Sequence, residues 1–263
     1  MLTLPAPDRR PLPNAALSLV VTQVRFDARA DAVSGEVLEA LRGRLDEAGH
    51  RYTQMDQLSA RDLIVGPAGP IAETSAVRKG WRLATPDNRW QLSLLPDSLS
   101  VETAQFETFD EMLPRVTAAL DALSGVDRPT VVTRVGLRFI NQLESPHPLS
   151  GIADWRPWLA PALHGALADD TLRDGVVAAE QRMVLAVDDF VRSAVRSGPL
   201  VHDGETARYL LDIDSFVEMS ELWRTVDLPG LISRLNDVSV SVFQHLLSPR
   251  MISYLQGHEG GES

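Results

Sequence analysis

Residues 130–144 read TVVTRVGLRFINQLE, and the reading of this stretch decides the fold class. Its β-branched and aromatic residues alternate with other types at period 2, the signature of a strand. Val131, Val135, Leu137 and Phe139 share one face, and Arg134, Gly136 and Arg138 the other. Two arginines flanking a glycine on one face of an otherwise apolar strand require a chemical reason.

Upstream of this strand, Thr108-x-x-Glu111 forms a capping box, and Phe109, Met112, Val116, Leu120 and Leu123 fall on one stripe. The pattern predicts a helix from Thr108 to Ser124 stopped by Gly125, with Pro114 one turn deep, where it would bend the helix or delay its start. Earlier still, Gly80 to Thr85, Trp90 to Leu95 and Leu99 to Phe106 read as short strands. Asp87-Asn88 and Pro96-Asp97 are the turns between them, and together they make an antiparallel meander. Residues 56–79 carry Gly66, Pro67, Gly69 and Pro70 without a clean period, which reads as a loop insert. The chain begins with an extended arm, residues 1–15, containing four prolines, then a strand from Leu17 to Phe26 and a helix from Ser34 to Ala48, capped by Ser34 and stopped at Gly49.

Downstream, Ser145 to Leu167 is rich in proline and tryptophan. Gln181 to Val187, Phe190 to Val195 and Ala207 to Asp214 read as strands, with a turn at Ser197-Gly198-Pro199. Leu231, Leu235, Val238, Val242 and Leu246 predict a long helix from Leu228 to Leu247, and residues 256–263 a disordered tail. Strands and helices do not alternate strictly, so the expected class is α+β: a largely antiparallel sheet with long amphipathic helices on one face. Two similar halves, 16–144 and 145–255, each run meander then helix.

With 44% hydrophobic residues in a chain of 263, the composition is that of a packed globular core. A formal charge of -11 argues against nonspecific binding to nucleic acid or to an anionic membrane. The absence of cysteine excludes disulfides, thiolate catalysis and Cys-ligated metals within the chain. Prolines and charges interrupt the N-terminus where a signal peptide needs an apolar run, and a cytoplasmic location is expected. The register of a P-loop, G-x-G-x-x-G and G-x-S-x-G are all missing, and the six histidines have no metal-binding spacing, so no cofactor and no metal are implied.

Arg134 and Arg138 lie about 13 Å apart by strand rise. They read as an anion site with Asn141 orienting, or as partners of carboxylates on a neighbouring strand. Asp212 and Asp214, at i and i+2, are the natural partners and also the candidate acid–base or cation-holding pair. Trp155, Arg156 and Trp158 read as an interface anchor or as a satellite core beneath a long connection.

Three stretches, PLPNAALSLVVTQVRF (11–26), WQLSLLPDSLSVETAQFETFDEM (90–112) and RVGLRFIN (134–141), resemble a sporadically distributed bacterial family. Its members share a proline–asparagine N-terminus, an aromatic meander and an R-x-G-L-R-[FY]-[IV]-N strand, and have no established activity. Their patchy distribution resembles that of accessory cassettes, including defence and toxin–antitoxin systems. The expected function is therefore a non-catalytic interaction protein with a protein partner or a second copy of itself. The alternative is an enzyme or sensor that takes a small anionic or phosphorylated ligand on Arg134 and Arg138.

Overall fold

The computed structural model describes residues 2–15, 17–29, 33–60, 63–66, 69–73, 78–202 and 205–258. In chain order they form β1 (Leu17–Phe26), α1 (Gly35–Glu47), β2 (Gln54–Ala60), β3 (Leu63–Gly66), β4 (Gly69–Glu73), β5 (Arg78–Ala84), β6 (Trp90–Leu95), β7 (Ser98–Thr103), α2 (Phe109–Asp127) and β8 (Val131–Glu144). A run of short 3-10 turns follows, then β9 (Gln181–Ala186), β10 (Val191–His202), β11 (Glu205–Leu222), α3 (Leu228–Leu246) and α4 (Pro249–Leu255). The fold is α+β. Nine strands make a large antiparallel sheet in the order β2-β5-β6-β7-β1-β8-β11-β10-β9, while β3 and β4 form a hairpin of their own. Among the described residues no helix is long and apolar enough to cross a membrane.

The chain groups into two compact units. A central unit comprises residues 21–135 and 218–230, and a terminal unit comprises residues 1–20, 136–217 and 231–263.

In the central unit, α1 is capped by the Ser34 hydroxyl, which accepts from Val37 N–H, and α2 by Thr108, which accepts from Glu111 N–H. The buried stripes Leu38–Leu41–Leu45 and Met112–Val116–Leu120–Leu123 make the apolar core with Leu83, Leu92, Leu94 and Val101 of the meander. Each such side chain taken fully out of water stabilises the fold by about 1.5–3 kcal/mol. Pro114 sits inside α2 on its exposed side, and the helix neither stops nor starts there.

Two sequence expectations fail in this unit. Gly125 does not end α2, which continues to Asp127, and the tip of the flexible Arg44 side chain from α1 lies over it. The segment read as a loop begins with β2, seven residues paired in register with β5. The parts of that loop at 61–62, 67–68 and 74–77 lie outside the described residues, as do residues 259–263 of the expected tail.

In the terminal unit the odd-numbered residues of β10 and β11 face the core. Val191, Val195, Tyr209, Leu211 and Ile213 are buried, and so are Ser193, Ser197 and Ser215. Trp155, Trp158, Leu159 and Leu163 from the 3-10 turns, Val242, Phe243 and Leu246 from α3, and Met251 and Leu255 from α4 complete the cluster. A buried hydroxyl relay links helix to sheet. Ser239 of α3 donates to Ser215 at 2.8 Å, and Ser215 lies 3.0 Å from Ser193.

The expected turn at Ser197-Gly198-Pro199 is instead the middle of β10, with Gly198 opposite Leu210 and Pro199 opposite Tyr209. A Cβ on Gly198 would stand 2.3 Å from the Ala179 carbonyl oxygen, so the glycine admits the chain entering β9. The N-terminal arm is extended and tied down: Leu2 N–H donates to the Val187 carbonyl, Asn14 N–H to that of Leu255, and Leu4 and Leu12 pack on the core cluster.

Candidate functional site

The even-numbered residues of β8–β11 in the terminal unit form the opposite face of its sheet, and arginines dominate it. Arg138 on β8 meets Asp212 on β11 through a two-pronged hydrogen bond, Nε to Oδ1 at 2.8 Å and Nη2 to Oδ2 at 2.6 Å. The Asp212 side chain is 8% exposed and that of Arg138 45%, so the pair straddles the edge of burial. Hydrogen bonding to Asp212 raises the Arg138 pKa above its ordinary value against the opposing effect of burial, with further attraction from Asp212 and Asp214.

The charge row continues across the sheet. Arg196 of β10 stands opposite Asp212 on one side and opposite Arg182 of β9 on the other. Both guanidiniums reach back to Glu180, each at 2.7 Å. These hydrogen bonds, Arg196 first and then Arg182, hold the Glu180 carboxyl below its ordinary range. Arg208 of β11 bonds Gln142 and Glu144 of β8, both at 3.1 Å.

The residues singled out by sequence fall into different places. Arg138 and Asp212 are together, as the carboxylate-partner alternative expected. Asp214 is half-buried and shares their face by parity. Asn141 does not belong with them. It is 5% exposed on the core side, where its amide donates to the Leu211 carbonyl at 3.0 Å, so it orients nothing on the arginine face. Arg134 falls in the central unit and is half-buried there. Among the described residues no group of three or more His, Asp or Glu is placed to hold a metal.

Trp155 and Trp158 are 0% and 3% exposed, so neither ring is presented as a surface anchor. Trp155 packs tilted against Tyr209 with ring centroids 5.4 Å apart. This is the satellite-core alternative, and the reason is packing: both rings close the end of the apolar cluster beneath α4. Trp158 carries the Arg250 guanidinium over its face at 4.0 Å, with the His147 ring 6.0 Å away. Arg156, half-exposed, lines the same cleft of about 440 Å³ as Trp158 and Arg250. The sequence flagged Arg156 and Trp158 but not Arg250, which no local pattern links to them.

One end of the sheet is β9, hydrogen-bonded to β10 along one side. Met183 and Leu185 reach the core while staying half-buried, Val184 on the other face is 64% exposed, and Phe190 just beyond is 68% exposed.

Fold and site together define an α+β protein whose antiparallel sheet carries ion-paired arginines on one face and an apolar edge strand. Compared with known proteins, the chain matches no family model and no curated protein.

Proposed function

We propose that this chain is a non-catalytic interaction protein that self-associates by pairing β9 with its counterpart in a second copy. The observation that supports this reading is the β9 edge. An edge strand presents unpaired backbone N–H and C=O groups, and proteins that stay apart blunt such edges with proline, bulges or inward charges. β9, QRMVLA, has no proline and pairs with β10 without a bulge; its one charge, Arg182, is bound to Glu180, Met183 and Leu185 lie toward the core, and Val184 and Ala186 share the face of Arg182. Strand pairing in a second copy would satisfy the edge and cover apolar side chains on both faces at once.

The polar groups first suggested for chemistry point the same way. Both donors that Arg138 aims along its fork are on Asp212, which leaves the anion-binding role on Arg134 and Arg138 without geometric support. An accessory system of the defence or toxin–antitoxin type, implied by the family resemblance, is the setting we attach to this reading.

Native mass spectrometry of the full chain and of Val184→Lys tests it. The parent is expected as a dimer and the variant as a folded monomer whose melting temperature matches the parent's once the parent is diluted below its dissociation constant, because the substitution places a charge on an already exposed edge position. A parent that stays monomeric at about 100 µM, where a specific strand-paired dimer should form, would overturn the proposal.

A further inference from the structure

The cleft beside Trp158 is walled by the 3-10 turn Ile152–Trp158 and the start of α4. We propose that it binds a small phosphomonoester, with Arg156 and Arg250 as the groups that hold the phosphoryl oxygens. This goes beyond self-association through β9 and does not depend on it.

Three observations carry the inference. The first is a local positive charge in a protein of formal charge -11: of the charged residues lining the cleft, Arg173 is paired with Asp170 and Asp174, which leaves Arg156 and Arg250 against Asp154. The second is how those aspartates are occupied. Asp154 accepts from the backbone N–H groups of Ser150 at 2.7 Å and Gly151 at 3.2 Å, so its charge serves the turn. Asp174 lies 3.6 Å from Arg173, which also bonds Asp170 at 2.7 Å.

Arg156 and Arg250 are thereby left without a carboxylate among the described residues, whereas Arg138, Arg182, Arg196, Arg208 and Arg234 of the same unit each have one. The third observation is the state of Arg250. Its guanidinium carbon lies 4.0 Å from the Trp158 ring centroid, and its Nε is buried without an acceptor. A cation held against an aromatic ring keeps its charge, and its remaining N–H donors can bond a phosphoryl group. An orphaned buried donor beside an uncompensated cation is a place prepared for an acceptor.

The volume sets the class of ligand. At about 440 Å³ the cleft is near the lower end of small-molecule sites, which run from about 300 to 1,000 Å³. It suits a sugar phosphate or mononucleotide, and the chain's formal charge of -11 disfavours a polyanion. His147 also lines the cleft, its ring tilted 6.0 Å from that of Trp158.

Calorimetric titration of the full chain with inorganic phosphate, pyrophosphate and AMP, each against sodium chloride of equal ionic strength, tests the proposal. At least one phosphorylated probe is expected to bind, and Arg156→Gln to weaken it about tenfold, since that arginine has no internal partner whose loss would disturb the fold. Arg250→Gln should weaken it at least as much, and its melting temperature without ligand reports whether the stack on Trp158 also supported the turn. The proposal is overturned if no probe gives heat beyond the chloride control, or if Arg156→Gln binds as the parent does.

Discussion

Arg138 and Arg250 belong to the same unit, and each guanidinium is held by one neighbour, yet the two neighbours leave opposite things behind. Asp212 takes both prongs of Arg138 and cancels its charge; Trp158 holds the Arg250 guanidinium 4.0 Å from its ring centroid and leaves its charge uncancelled. The first arrangement fixes strands β8 and β11 in register. The second holds a cation in place without neutralising it, which is what a binding group needs before its ligand arrives. An arginine's partner therefore says more about its role than its exposure does.

The sharpest way to break this comparison is to remove Arg138. Its loss leaves the buried Asp212 carboxylate without its counter-charge on the sheet face. Breaking a fully buried pair costs about 3–5 kcal/mol; because Arg138 is nearly half exposed, water recovers part of that, and Arg138→Ala is expected to cost about 2 kcal/mol in chemical denaturation. In an Asp212→Asn background the same substitution should cost less than half as much, since no charge is then orphaned. Equal costs in the two backgrounds would show that Arg138 acts by packing alone.

How far the sequence foretold these features follows from where the information lies. Period-2 parity put Arg138 and Asp212 on strand faces that meet, and the capping box together with the apolar stripe placed α2 to within a few residues. Parity also separates Asn141 from Arg138, because three residues along a strand reverses the face; proximity in sequence suggested a shared site that the pleat forbids. β2 was invisible because Gln54, Met55, Asp56 and Gln57 are all exposed, so no alternation is imposed on it. Gly198 reads as a turn residue in sequence, yet it answers the close approach of the Ala179 backbone, a contact made only by the fold, and Gly125 reads as a stop inside a helix that runs on past it. The Arg250–Trp158 stack joins two distant segments and leaves no periodic trace, so no spacing rule reaches it.

Removing Arg250 probes the other half of the comparison. Arg250→Gln forfeits a cation–π contact on a buried indole, for which about 1 kcal/mol is expected, roughly half the loss at Arg138. Chemical denaturation of the two variants side by side measures the ratio. A larger loss at Arg250 than at Arg138 would reverse the assignment, making the stack structural and the ion pair dispensable.

Acid separates the two arrangements by a smaller effect with a definite sign. Glu180, clamped by Arg196 and then Arg182, titrates below the ordinary 4.5, so folding favours its charged form. The stability it contributes is fully present above 4.5 and is lost as the pH falls through the lower folded value. The side chain is 41% exposed, and a clamp of this kind contributes about 0.5 kcal/mol. The difference in melting temperature between the parent and Glu180→Gln should therefore be small and constant near neutrality and close to zero in strong acid. The contact between Arg250 and Trp158 involves an indole, which has no carboxylate to protonate, so the corresponding difference for Arg250→Gln should stay level over the same range. If that difference also fades in acid, a carboxylate supports Arg250 after all, and the contrast with Arg138 is lost.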